Sequence, residues 1–179
     1  MNTCSALIVL IVSSLPMAAT AAETLLKGSQ ITEENLLENL TPTQERPLTR
    51  SIKVMRDEVA SAKPQKLARA GLLMTFQTAS SELLPATKKA LDTVAKALQN
   101  DKLASFQFNI EGHADPRGGN EMNQKLSQAR AESVVNYLIR SHGISPERLK
   151  PIGVGSAELL NTRNPTAPEN RRVTITTIQ

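Results

Sequence analysis

The chain has 179 residues, which predicts one domain with additional segments, and its formal net charge is +4. With three Phe, one Tyr and no Trp, the core is expected to be mainly aliphatic. The basic balance suits an acidic polymer, either nucleic acid or cell-envelope material. Nucleic acid is the weaker interpretation, because no basic stripe is present and the few aromatic residues belong to predicted strands and a helix.

Residues 1–22 predict a secretory signal peptide. Residues 6–12 form a short apolar run and residues 19–22 supply small side chains for cleavage. No Lys or Arg precedes the run, so either the free amino terminus supplies the charge or the true start lies elsewhere. The alternative is an uncleaved membrane anchor, but two Ser and a Pro within residues 13–16 interrupt a run that is too short to span. Cys4 precedes the run, which excludes a lipoprotein cysteine, and we expect an exported chain without disulfides.

Residues 23–70 are predicted to be a separate piece, a short helix followed by a linker. Residues 31–40 give the helix, with Thr32 as N-cap and three leucines on one side. The following stretch is rich in charge and turn-forming residues, which favours a linker. Two interpretations of the helix stay open: it packs back onto the folded domain, or it docks a protein partner in the envelope.

Residues 71–179 are predicted to form the folded domain. Leu72, Met74 and Phe76 alternate with other residues and predict the first strand. Pro85 suits the first turn of a helix whose apolar stripe comprises Leu91, Val94, Ala95 and Leu98. The second strand starts at Phe106 and ends at Gly112; a long second helix follows and is terminated by Gly143. Strands at 149–154 and 173–177 complete a β-α-β-α-β-β order, which predicts an α/β (α+β) sandwich with a mixed sheet and helices on one face.

The loop between the second strand and the second helix carries the candidate site. Asp115 lies in this polar loop, and Arg130 lies in the helix that leaves it. A carboxylate beside a guanidinium, close to a helix N-terminus, suits a ligand that carries both an ammonium and a carboxylate. From the residues alone, Asp115 could equally cap the backbone of its own loop, and Arg130 could pair with a surface acid.

Three motifs in this region give a resemblance to a known family. They are Gly112-His113-Ala114-Asp115, then Asn123 through Leu126-Ser127 to Arg130-Ala131, and finally Asn170-Arg171-Arg172-Val173. In this order and spacing, the chain from about 72 to 178 resembles the OmpA C-terminal-like peptidoglycan-binding domains of OmpA, MotB and Pal. Ala114, where many relatives have Thr, and the Arg117-Gly118 pair are typical of the Pal branch.

The resemblance implies roles for particular residues. Asp115 would contact the ammonium of the diamino acid in the peptidoglycan stem peptide, and Arg130 would bind its carboxylate. Either Arg171 or Arg172 would order the site, because successive strand side chains point to opposite faces. The further candidate ligand-binding residues are Asn123, Leu126 and Ala129, of which the last two could equally serve helix packing.

His113 lies next to this site and raises the question of a metal or of catalysis. A single His-x-Asp lacks a third ligand, and no Cys or Ser nucleophile accompanies it. We expect His113 to fix the loop through a bond to backbone, and Gly112 and Gly118 to serve loop geometry. No metal, cofactor or enzymatic activity is predicted, which disfavours the rival interpretation as a cell-wall hydrolase.

The expected function is therefore non-covalent binding of peptidoglycan in the periplasm, in support of envelope integrity. The alternative is an envelope adaptor in which residues 23–70 bind a protein partner and wall contact is weak. The mature chain is expected to contain no transmembrane segment, so how it would be held at the outer membrane or wall is left open.

Overall fold

The computed structural model describes residues 24–42, 68–74, 76 and 80–178. The predicted signal peptide, residues 1–22, lies outside these residues, and so does most of the predicted linker, residues 43–67. Among the helices of the described part, none combines the length and the apolar character needed to cross a membrane.

The described chain contains five strands and three α-helices. In order they are β1 (Thr24–Leu26), α1 (Glu33–Leu40), β2 (Arg69–Leu72), α2 (Pro85–Gln99), β3 (Gln107–His113), α3 (Asn120–His142), β4 (Leu149–Gly155) and β5 (Val173–Ile178). The strands form one sheet in the order β1-β2-β5-β3-β4. β1 is parallel to β2 and β3 is parallel to β4, whereas β5 runs antiparallel to both β2 and β3. The predicted mixed sheet is confirmed.

The hydrophobic core lies between the sheet and the helices. Phe108 and Ile110 of β3 are fully buried, as are Leu91 and Leu98 of α2 and Leu138 of α3. The alternation in β3 and the apolar stripe of α2 therefore both mark core positions. Pro85 opens α2, and Gly143 ends α3 with a left-handed φ of 65°. Both helix boundaries agree with the sequence signals.

The first predicted strand is placed too late in the chain. The prediction used Leu72, Met74 and Phe76, whereas β2 spans Arg69–Leu72. Leu72 pairs with Val173, the first residue of β5, so residues beyond Leu72 have no partner in that strand. Leu72 and Met74 are both buried, so their alternation reports burial on one side rather than the extent of hydrogen bonding.

The N-terminal segment contributes a strand and a helix to the same fold. Leu26 of β1 pairs with Leu72 of β2, and Leu36 and Leu40 of α1 are fully buried in the common core. Thr32 caps α1 by accepting a hydrogen bond from the backbone N–H of Asn35 at 3.3 Å. The division between residues 70 and 71 thus falls inside β2, and α1 packs on the domain. A strand of three residues is too short to give a periodic pattern, which is why the sequence did not indicate β1.

Two glycines bring α3 unusually close to the sheet. A Cβ on Gly112 of β3 would overlap the carbonyl oxygen of Ser127, and one on Gly153 of β4 would lie 2.6 Å from the backbone nitrogen of Gln128. Side chains of α3 also bond to the outer edge of β4: Ser127 Oγ accepts from the Gly155 N–H at 2.9 Å, and Gln128 Oε1 accepts from the Gly153 N–H at 2.6 Å. This contact fixes the start of α3 beside the end of β3.

Candidate functional site

A groove of about 550 Å³ lies where β3 ends and α3 begins. Its other walls come from the residues that follow β2 and from those that precede β5. Its lining comprises Leu73, Met74, Phe76, Ala114, Asp115, Arg117, Gly118, Met122, Asn123, Leu126, Arg130, Pro168 and Arg171. An apolar surface therefore surrounds one carboxylate and three guanidinium groups, leaving two positive charges in excess.

Asp115 is buried and accepts hydrogen bonds from two arginines. Arg117 donates to Oδ1 through its backbone N–H at 3.1 Å and through Nε at 3.0 Å, and to Oδ2 through Nη2 at 2.7 Å. Arg171 Nη1 donates to Oδ2 at 3.0 Å. The hydrogen bonds from Arg117, assisted by Arg171 and opposed by burial, lower the pKa of Asp115 to about 2. The group is therefore an anion throughout the physiological range.

Arg130 is the buried cation of the groove, with 7% of its surface exposed. Its Nε donates to the carbonyl of Ser80 at 3.1 Å, and its guanidinium carbon lies 4.9 Å from the centre of the Phe76 ring. Within the described residues this is the one hydrogen bond of the side chain, so its Nη donors are available in the groove that the residue lines. Burial, and then the nearby Arg171, lower the pKa of Arg130, while Asp115 raises it. A ligand carboxylate would satisfy these donors.

The two adjacent arginines before β5 have different surroundings. Arg171 lines the groove, contacts Asp115 and also donates to the Thr166 carbonyl at 3.3 Å. Arg172 is 3% exposed and donates to the Glu158 carbonyl at 3.4 Å, and it does not line the groove. Of the predicted pair, Arg171 is thus the one that lines the groove, and its role in ligand binding stays a prediction. Buried Asn170 orders the preceding loop, because its side-chain amide donates to three carbonyls in residues 161–165.

The remaining predicted ligand-binding residues divide in the same way. Asn123 and Leu126 line the groove, whereas Ala129 does not. Asn123 also donates from Nδ2 to the backbone carbonyl of Asp115 at 2.8 Å, which ties α3 to the loop. Gly118 is in the groove lining with φ at 94°, a conformation that L side chains rarely adopt.

His113 is buried and lies outside the groove lining. Its Nε2 is 3.1 Å from the Thr174 hydroxyl, so the ring connects the end of β3 to β5. The partner in this contact is a side chain. The expected bond from the ring to a backbone group stays a prediction. In the described part of the chain no three His, Cys, Asp or Glu side chains are grouped so as to hold a metal ion.

Sequence reasoning missed Arg117, Met74, Phe76 and Met122 as parts of the groove. Arg117 is a charged residue two positions after Asp115, a spacing at which a side chain and a backbone N–H can both reach the carboxylate. Met74 and Phe76 fell within the first predicted strand. Met122 is 65% exposed at the start of α3, a feature that is visible only in the structure, so no pattern in the sequence indicated it.

A larger and more open depression of about 820 Å³ lies along α1. Glu33, Glu34 and Glu38 line it together with a single cation, Lys102. It offers no buried polar group pointing inward, so the groove at Asp115 is the better candidate despite its smaller volume.

Residues 75–173, more than half of the chain, match the OmpA family, and the chain belongs to that family. The chain is 37% identical over 106 residues to the probable lipoprotein YiaD of Escherichia coli, covering 58% of this chain and 47% of that protein. It is 35% identical over 100 residues to the peptidoglycan-associated lipoprotein of Pseudomonas aeruginosa, covering 55% and 57%. The chain thus spans about half the length of these two relatives.

Solved structures agree on the fold. A MotB-like protein from Desulfovibrio vulgaris superposes with a TM-score of 0.54 at 23% identity, covering 63% of this chain and 74% of that one. The peptidoglycan-associated lipoprotein from Burkholderia pseudomallei superposes with a TM-score of 0.50 at 23% identity, covering 59% and 88%. At these identities the comparison establishes the mixed sheet with its helices and no more.

Proposed function

We propose that the chain binds peptidoglycan without covalent attachment, through the diamino acid of the stem peptide. The observation that carries the proposal is that one groove is lined by a buried guanidinium, Arg130, and a buried carboxylate, Asp115. A ligand carboxylate can accept two parallel hydrogen bonds from a guanidinium, a strong contact with a defined geometry.

Each part of the groove has a matching part in a diamino acid. Arg130 binds the carboxylate, Asp115 receives the side-chain ammonium, and Leu126 with Phe76 contacts the methylene groups between them. Asn123 holds the Asp115 loop against α3. The two excess positive charges favour a ligand with a net negative charge, as a stem peptide with several carboxylates has.

The cellular setting follows from the same proposal. A chain that binds the wall acts in the periplasm at the outer membrane or the wall, and the names of two relatives, a peptidoglycan-associated lipoprotein and a probable lipoprotein, support an envelope role. The proposed role is binding and not catalysis, and the charged groups that line the described part of the groove suit the holding of a charged ligand.

Sedimentation with insoluble peptidoglycan tests this function. The purified chain is mixed with wall fragments beside Asp115→Ala, Arg130→Ala and the control Lys125→Ala, a cation of α3 that is 77% exposed and lies outside the groove lining. We expect the wild type and the control to pellet. Each site variant should lose about 2–4 kcal/mol of binding free energy, because the opposite charge of the ligand is left without a partner.

Two results would contradict the proposal. Equal pelleting of all four proteins would mean nonspecific charge attraction, and no pelleting of the wild type would mean that the fold serves another purpose. Circular dichroism of each variant distinguishes lost binding from lost folding. Clearing of a wall suspension by the wild type would instead indicate a hydrolase.

Partner binding through residues 23–70 stays a prediction. The buried side of α1 already packs in the core, so what α1 offers outward is largely acidic. A variant with reversed charges at Glu34 and Glu38 should retain wall binding if the groove is the wall-binding site. Such a variant therefore separates partner binding by residues 23–70 from the proposed binding of peptidoglycan.

A further inference from the structure

Arginine donors occupy both oxygens of the Asp115 carboxylate. A carboxylate offers about four acceptor directions. Here three donors of Arg117 and one of Arg171 use both oxygens, at distances between 2.7 and 3.1 Å. A ligand ammonium needs acceptor directions on the same oxygens. It therefore has to displace at least one guanidinium.

The two guanidinium groups differ in how firmly they are held. The Arg117 side chain is 65% exposed, and Asp115 is its one ion-pair partner among the described residues. The Arg171 side chain is 38% exposed and donates to the Thr166 carbonyl as well. Moving either side chain breaks two hydrogen bonds: both from Arg117 go to Asp115, whereas Arg171 donates one to Asp115 and one to Thr166. The two differ in exposure, because a released Arg117 returns to water that already surrounds most of its side chain, which offsets the lost ion pair. Arg117 is the group that leaves more easily.

We propose that Arg117 is an internal competitor, which occupies the ammonium position at Asp115 and leaves it when the ligand binds. This inference rests on the proposed function. The backbone N–H of Arg117 and the Arg171 guanidinium keep their bonds to Asp115, so the loop retains its shape during the exchange. Arg117 thereby lowers the affinity for ligands that bring an ammonium relative to ligands that lack one, which makes it a residue that sets specificity.

The test is a calorimetric titration with a stem tripeptide that ends in diaminopimelate. A second probe is the same tripeptide with the side-chain amine of its diaminopimelate acetylated, which removes the ammonium. The proteins are the wild type, Arg117→Ala, Arg117→Lys and the charge-matched control Lys125→Ala. Arg117 is exposed and its backbone bond is independent of the side chain, so these variants should fold.

We expect Arg117→Ala to bind the free tripeptide about two- to fivefold more tightly, the range that an exposed ion pair implies. Arg117→Lys, which keeps the charge and loses the planar fork, should fall between this variant and the wild type. Affinity for the acetylated probe should be the same in Arg117→Ala as in the control. In wild-type protein, the Nε–H resonance of Arg117 should move to the position of a solvated arginine as free tripeptide saturates the site.

The outcomes separate the inference from the function on which it rests. If the wild type binds the free tripeptide and Arg117→Ala binds it equally or more weakly, Arg117 is not a competitor, while the proposed function stands. An Arg117 Nε–H resonance that does not move at saturation would likewise overturn the inference and leave the function standing. If no protein binds either probe, the proposed function fails and the inference fails with it.

Discussion

At the scale of single residues, Asp115 couples folding to pH. Its pKa in the folded chain is about 2, below the ordinary value of 3.8, chiefly because Arg117 donates hydrogen bonds to its ionised form. The unfolded chain therefore binds a proton more readily than the folded one. The resulting stabilisation is fully present above pH 4 and is lost as pH falls through about 2.

Asp115→Asn is expected to lower the free energy of unfolding by about 1–2 kcal/mol at pH 7. The difference from wild type should shrink between about pH 4 and pH 2, since protonation removes the same charge from the wild type. Urea unfolding at a series of pH values measures it. Glu121→Gln is a matched control, because Glu121 is 84% exposed in a surface pair with Lys125, and this change should have little effect. A difference for Asp115→Asn that stays constant down to the lowest pH would contradict the linkage.

Individual site residues were predictable to different degrees. Asp115 and Arg130 were assigned to a site only through the motifs of the resemblance, since the residues alone left capping and surface pairing open, and both line the groove. Arg117 was not, since its role depends on how one exposed side chain turns back onto its own loop. The choice between Arg171 and Arg172 could not be predicted from strand alternation, because both residues lie between the short turn at Pro168–Asn170 and β5, which begins at Val173.

At the scale of elements, the closeness of α3 to the sheet builds the groove. Gly112→Ala would place a methyl group against the Ser127 carbonyl, and Gly153→Ala would place one against the Gln128 backbone. Backbone atoms of a packed helix yield little, so each variant should lose about 2–3 kcal/mol or more of unfolding free energy. Because α3 must shift, binding of the diamino-acid tripeptide should weaken as well.

Gly143→Ala is the control for these two variants. Gly143 has a left-handed φ of 65°, and a Cβ there would meet no atom within 4 Å. Backbone strain alone should lower the free energy of unfolding of Gly143→Ala by about 1–2 kcal/mol. Gly143 lies at the end of α3 that is far from the groove. Thermal unfolding and the tripeptide titration together report the difference: Gly143→Ala should keep wild-type affinity. Full affinity in Gly112→Ala would show that the helix position is not what forms the site.

Elements with a strong hydrophobic period were predictable from the sequence, whereas strands whose limits depend on pairing with a distant strand were not. The apolar stripe of α2 and the alternation in β3 each correspond to a buried face, so pattern and structure agree. The limits of β2 and the existence of β1 depend on which strands lie alongside. That information resides in long-range register, such as Leu26 against Leu72, and a local window does not contain it.

At the scale of the whole molecule, the N-terminal segment completes the core. Thr177 Oγ1 donates to the Leu40 carbonyl at 2.6 Å. This bond connects the end of α1 to β5, although the two residues are 137 positions apart in the sequence. Leu36 and Leu40 are fully buried, whereas Leu37 is half-buried. Residues 24–40 thus stabilise the same sheet that carries the groove, on the edge opposite β4.

Leu36→Ala should therefore lower the free energy of unfolding by about 2–4 kcal/mol, through lost burial and the cavity left behind. Leu37→Ala removes the same atoms from the same helix and should cost less, because part of its surface is already in water. Neither change touches the groove, so tripeptide affinity should be unchanged at temperatures where both variants are folded. If Leu36→Ala costs no more than Leu37→Ala, α1 is not held in the core. The helix would then be available to a partner, and the adaptor role of residues 23–70 would gain support. The expected ranking instead makes α1 a structural part of the domain.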